Sequence, residues 1–261
     1  DFLTKSPETS NQLEVVKHWY QWLLWGRLSY DPSISNNRFR NILSNRFHGV
    51  NVDALFNAWQ NASMVYPVTT GFHWGSLDFQ WYIEGCQSQP KFAKNNTGFH
   101  DVNRFISLGT HPKSGNQSIP NYVKMKIANS KSNLKSPITV SNKLHKLSNN
   151  ALENLTLLSV SSNKELQYTL NDIETVSYLG KYYAYKIAGS TYVAMYRETK
   201  DKEYQNKAVS ELTNALKYWK RYVEKATQQN TNPLWTNRVG IVDWKQTTNW
   251  VKEDIEIAKL E

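Results

Sequence analysis

The sequence predicts an all-α fold, an antiparallel helical array carrying one long, irregular, aromatic-rich insertion. Three observations predict it. Apolar residues recur at three-to-four spacing over most of the 261 residues. Turn-forming residues are scarce, with 8 Pro and 11 Gly, where a β-sandwich of this length needs more. Between residues 67 and 118 the helical period stops, while glycines and aromatics crowd in. Hydrophobic residues make up 39% and charged residues 20%, enough apolar material for a core. The expected organisation is a single helical domain over 1–261. It divides into N-terminal helices (1–66), the irregular aromatic region (67–118), and a part holding a long helical hairpin and a C-terminal helix (119–261).

Each element has its own signal. Leu13, Val16, Tyr20, Leu23, Leu24 and Arg27 form one stripe, and Tyr30-Asp31-Pro32 ends that helix. Ser35 is placed to cap a second helix bearing Phe39, Ile42, Leu43 and Phe47. A third starts near Asn51, carries Leu55, Phe56, Trp59 and Ala62, and is expected to end before Pro67. Short helical turns are expected at Leu77–Glu84 and Val102–Ile106 inside the irregular region. Ile119-Pro120 opens a short helix, and Asn129 to Ser136 reads as an exposed linker. Pro137 starts a longer helix that runs to Leu158. Leu166 through Ala194 keep the helical period for about eight turns. Gly180 and Gly189 within it mark close packing or kinks. Thr199-Lys200-Asp201 then turns the chain into a helix carrying Tyr204, Ala208, Leu212, Ala215, Trp219, Tyr222 and Ala226, which must pack antiparallel to the one before. After the loop Asn230 to Trp244, a last helix covers Lys245 to Leu260.

Composition also bounds the function. The net charge is +9, but the lysines are spread along the chain and many sit beside acids. Charge so distributed serves solubility, and no nucleic-acid partner is expected. No membrane span is expected, because no run approaches about 18 apolar residues. The one cysteine, Cys86, excludes an internal disulfide and a cysteine-ligated metal. Histidines 18, 48, 73, 100, 111 and 145 show no HExxH spacing, and there is no Gly-rich phosphate loop. Neither a metal nor a cofactor is implied. The chain begins at Asp1 without Met, which suits either removal of a signal peptide or a start within a longer secreted polypeptide, and a periplasmic or extracellular, cell-surface address is expected.

The irregular region is where chemistry is expected. Tyr66, Phe72, His73, Trp74, Phe79, Trp81, Tyr82, Phe99 and His100 lie close together in sequence, interleaved with Asp78, Glu84, Asp101 and Arg104. Aromatic faces beside carboxylates, amides and a guanidinium suit an oligosaccharide or polysaccharide. Rings stack on C–H faces, polar groups take hydroxyls, and Arg holds a carboxylate in a two-pronged contact. The expected substrate-binding residues are His73, Trp74, Trp81, His100 and Arg104. Buried rings beneath a long loop are the alternative reading of the same residues. Glycoside hydrolysis needs two carboxyl groups, and Asp78, Glu84 and Asp101 are the only acids in this crowded stretch. They are candidates for a catalytic role if the chain is a self-contained helical enzyme. His18, Trp22 and Trp25 share a further helix face, and the tryptophans Trp19, Trp22 and Trp25 suit a protein interface or a homodimer.

The run Trp25-Gly26-Arg27-Leu28-Ser29-Tyr30-Asp31-Pro32, followed by a short helix ending in Arg46-Phe47, resembles the helical C-terminal region of bacterial glycan-degrading proteins. The segments Thr69 to Gly75, Trp81 to Cys86, Tyr182 to Ile187 and Tyr218-Trp219 suit the same setting. The family it is similar to is the α-glucuronidases, glycoside hydrolase family 67, with related Bacteroidetes carbohydrate-active proteins. In that family the catalytic carboxylates sit on a (β/α)-barrel ahead of the helical domain. This chain has no βα alternation, so the resemblance transfers no catalytic residue. What it implies is a helical module of a carbohydrate-active protein acting on an acidic polysaccharide, with the remaining domains of a longer polypeptide as partners. A protein-interaction or oligomerisation module without sugar contacts is the other expectation.

Overall fold

Lys200 takes the left-handed conformation (φ 56°) and stops one long helix, and the Asp201 carboxylate accepts from the Glu203 N–H to start the next. So short a turn folds α9 (Lys164–Thr199, 36 residues) antiparallel against α10 (Lys202–Gln229, 28 residues), as expected. The computed structural model describes residues 14–74, 99–159, 162–236 and 240–260, and among them the fold is all-α apart from one small hairpin.

The other helices dress this spine. α8 (Pro137–Leu155), capped by Ser136 on the Thr139 N–H, packs along α9, and α4 (Val52–Ser63) lies on α8. α11 (Trp244–Leu260) packs on α10. α5 (Val65–Phe72), α6 (Val102–Ser107) and α7 (Ile119–Ile127) cover the middle of α9. Gly180 and Gly189 are close-packing points inside an unbroken helix. A Cβ at Gly180 would collide with Ser148 and Val65, and one at Gly189 would meet Leu212 at 2.7 Å.

The core follows the stripes. Val65, Phe72, Phe105, Leu144, Tyr183, Ile187, Trp219 and Trp244 are buried around the centre of α9. A second cluster joins Tyr20, Phe39, Leu43, Phe47, Leu55 and Ile173. The two core indoles have their N–H groups satisfied: Trp219 donates to Thr248 Oγ1 (2.9 Å) and Trp244 to Tyr222 Oη (3.1 Å).

Three local expectations are corrected. The first helix is two, α1 (Glu14–Lys17) and α2 (Trp19–Tyr30), broken at His18, whose backbone (φ −94°, ψ 20°) leaves the helical region. The third helix, α4, ends before Pro67 as expected, but helix does not stop at residue 66: Pro67 sits in the first turn of α5, where its missing N–H has no helical acceptor to lose. The loop after α10 contains a hairpin, β1 (Leu234–Thr236) with β2 (Gly240–Val242). The turn expected at Val102–Ile106 is α6. That at Leu77–Glu84 lies outside the described residues.

α3 (Asn36–Arg46) and α2 are tied to α9 from outside. Glu165 accepts from the Trp19 indole (2.7 Å) and pairs with Arg46 (2.9 Å). α2 turns Tyr20 inward and leaves Trp22 and Trp25, edge to face at 6.4 Å, 49% and 69% exposed.

Candidate functional site

α5 ends at Phe72, and α6 begins beyond Asp101, which caps it by accepting from the Arg104 N–H at 2.8 Å. These two ends bring together residues 27 apart in sequence. His73 Nε2 and His100 Nδ1 share a hydrogen bond of 2.9 Å, and the His73 ring lies flat on Phe105, centroids 3.8 Å apart. Below them Lys186 of α9 donates to the His100 carbonyl and to Tyr182 Oη, and pairs with Asp254 of α11 at 2.8 Å. Asp254 also accepts from the Val102 N–H (2.8 Å), while the Lys186 ammonium lies 4.0 Å from the Phe99 ring centroid. One buried polar chain thus ties α5, α6, α9 and α11 together.

Burial sets the protonation of this chain. His73 is held well below the ordinary histidine range by desolvation, then by His100, Lys186 and Arg104, so its ring is neutral at pH 7. Asp254 is pushed up to about 6 by burial, against the pull of Lys186 and the Val102 amide. Lys186 and Asp254 are committed to each other, so this pair positions backbone and presents no reactive group to solvent.

Above the polar chain the structure is more open. Trp74 is half-buried, its N–H donates to the Gly109 carbonyl (2.9 Å), and its ring meets His111 edge-on at 4.8 Å. His111 is held by its own N–H to the Gly71 carbonyl (3.1 Å). Arg104 is half-buried on α6, and beside it Asn103 accepts from Arg197 (2.6 Å). An indole, an imidazole and a guanidinium therefore stand around the C-terminus of α5 and the start of α6.

Of the residues singled out from sequence, His73 and His100 are brought into contact but buried, with their rings turned into the core. Trp74 and Arg104 lie nearer the surface. Asp101 is engaged as a helix cap. Trp81, Asp78 and Glu84 lie outside the described residues. Lys186, Asp254 and His111 did not stand out. A signal for Lys186 was present, because it interrupts the otherwise apolar run Tyr182-Tyr183-Ala184-Tyr185-Lys186-Ile187. Among the described residues, no cluster of His, Cys, Asp and Glu is arranged to hold a metal ion, and no helix is long and apolar enough to cross a membrane.

No protein-family model matches the chain, and no curated protein matches its sequence. Among solved structures, its fold is similar to that of a GH138 enzyme targeting pectin rhamnogalacturonan II. The TM-score is 0.73 and the identity 16%, over 98% of this chain and 39% of that one. At that identity the likeness is one of fold. The chain spans about two fifths of the neighbour's length, as the 39% coverage shows. The resemblance to glycan-degrading proteins thus has a structural counterpart in a GH138 enzyme, and nothing in it singles out family 67.

Proposed function

We propose that this chain is the helical module of a secreted carbohydrate-active protein, a glycoside hydrolase acting on an acidic polysaccharide of the pectic type. The observation that carries the reading is the fold likeness over 98% of the chain to an enzyme that targets pectin rhamnogalacturonan II. In this proposal residues 1–261 form one helical domain that docks on the remaining domains of a longer polypeptide in the periplasm or at the cell surface. Trp74 stacks on a sugar face and Arg104 takes a carboxylate. His73 and His100 act from behind, their buried hydrogen bond fixing the backbone that carries Trp74 and Asp101. The test is calorimetric titration of the chain with pectic oligosaccharides. Trp74→Ala and Arg104→Gln are each expected to weaken binding at least tenfold without changing the fold. Unchanged affinity in both variants would remove these contacts from the account.

A second reading is favoured by one observation, the exposure of Trp22 and Trp25 on α2. Large exposed indoles mark protein contact surfaces. In this reading the module joins a protein partner or a second copy through α2. Sedimentation velocity at rising concentration tests the second copy, and a monomer throughout, with Trp22→Ser and Trp25→Ser without effect, counts against it.

A further inference from the structure

A different face of the hairpin carries a site of its own. Along α9, Tyr178, Lys181 and Tyr185 fall at three-to-four spacing and share one side. Across from them on α10 stand Lys217, Tyr218 and Arg221. The rings form a ladder: Tyr185 stacks on Tyr218 at 5.4 Å and 16°, and Tyr178 lies 6.3 Å from Tyr218. Three cations gather at its middle rung. Arg221, Lys181 and Lys217 lie 5.3, 5.8 and 6.0 Å from the Tyr218 centroid, and Arg221 also reaches Tyr178 at 5.7 Å. His145 of α8 closes one side, edge-on to Tyr185 at 4.4 Å.

Lys181 is the observation that turns this seam into a site. The residue is 6% exposed, yet among the described residues no carboxylate lies within ion-pairing distance of it. Glu153 acts on it only through the field, and burial lowers its pKa from the ordinary lysine value. The stem of Lys181 is packed in the seam while its ammonium stays within reach of solvent, so the charge is open to an anionic ligand. Neither Arg221 nor Lys217 has an acidic partner among the described residues, and the Tyr185 and Tyr218 hydroxyls have no hydrogen-bond partner there. At the Tyr178 end of the ladder Glu174 accepts from the Tyr178 hydroxyl (2.9 Å) and pairs with Lys225 at 2.8 Å. The unmatched positive charge is local to Tyr185 and Tyr218.

We propose that the face over Tyr178, Tyr185 and Tyr218 binds a sugar unit bearing a carboxylate, which Lys181 and Arg221 hold while the Tyr185 and Tyr218 hydroxyls take its hydroxyl groups. The anion requirement comes from the unpaired cations. The sugar class rests on the carbohydrate-active reading and on the rings, since planar faces beside the Tyr185 and Tyr218 phenols suit a pyranose better than a bare phosphate. This site is separate from Trp74 and Arg104, being made of α8, α9 and α10 alone.

The test is tyrosine-ring NMR of the whole chain, titrated with trigalacturonate. A neutral galactose trisaccharide and inorganic phosphate serve as controls. The proposal expects saturable shifts confined to Tyr178, Tyr185 and Tyr218, at least tenfold weaker binding of the neutral trisaccharide, and no matching shifts with phosphate. Lys181→Met and Arg221→Gln are each expected to weaken trigalacturonate at least tenfold, with Lys181→Met melting higher than the wild type. A purely structural lysine would not combine gained stability with lost binding. Unmoved ring signals, equal shifts with neutral trisaccharide or phosphate, or retained affinity in both variants would overturn it. Running the titration on Trp74→Ala separates the two sites. Intact tyrosine shifts there, with total binding also unchanged, would leave the tyrosine face standing while the Trp74 contact falls.

Discussion

Two buried lysines, five residues apart on α9, have opposite surroundings. Lys186 is sealed and fully engaged, paired with Asp254 and donating to the His100 carbonyl and Tyr182. Lys181 has a packed stem, but among the described residues it has no ion pair, and its ammonium lies 5.8 Å from the Tyr218 ring within reach of solvent. A buried charge with every valence answered holds helices in register. A charge at the surface of a packed seam, left unanswered by the protein, is open to a ligand and can be removed without loss of stability.

The largest effect expected from this contrast is at Lys186. Lys186→Met leaves the Asp254 carboxylate without its partner and should cost about 3–5 kcal/mol at pH 8, measured by urea denaturation. Lys186→Met with Asp254→Leu should recover most of that loss. The pH dependence has a definite sign. Asp254 already binds its proton more tightly folded than unfolded, with a pKa of about 6 against an ordinary value of 3.8. Its contribution to stability therefore grows as pH falls through about 6 and is complete below the unfolded value. Removing Lys186 raises that pKa further, so the deficit of Lys186→Met should shrink between pH 8 and pH 5. A deficit that stayed constant would mean the carboxyl does not titrate there. His73, depressed by burial, works in the opposite direction: the unfolded chain takes its proton first as pH drops below about 6.5.

Smaller effects sharpen the same comparison. Gly180→Ala, next to Lys181, pushes α9 away from Ser148 and Val65 and should cost about 1–3 kcal/mol. That would show that close backbone packing sets the position of α9 beside Lys181. Lys181→Met should raise stability by about 1 kcal/mol, or about 2–4 °C in melting temperature. A drop instead would mean that the ammonium is answered within the protein, and the two lysines would no longer differ in kind. Trp25→Ser on the exposed face of α2 should change monomer stability by less than about 0.5 kcal/mol, since the ring is 69% exposed.

The sequence made the hairpin of α9 and α10 legible because both helices keep an apolar stripe and a short polar turn joins them. Gly180 and Gly189 were legible as special positions, though only the packing of Val65, Ser148 and Leu212 distinguishes close approach from a kink. The break at His18 was not legible, since Val16 and Tyr20 continue one period across it. Nor was the hairpin of β1 and β2, whose strands of three residues are too short to show alternation. At the candidate site, the residue types were legible but their orientation was not. His73 and His100 read alike with Trp74 in sequence, yet they turn inward because Phe105, Lys186 and Asp254 assemble beneath them from distant parts of the chain. Such partners, 86 and 68 residues from each other along the chain in the cases of Lys186 with His100 and with Asp254, leave no local signature.

The most direct test of the central claim is calorimetric titration of this chain with pectic oligosaccharides at pH 7. The account predicts saturable binding that a neutral oligosaccharide of equal length does not match, with Trp74→Ala removing the component that the tyrosine face does not supply. A folded sample that takes up no pectic oligosaccharide at millimolar concentration would contradict it, and would leave α2 and its exposed tryptophans as the working surface.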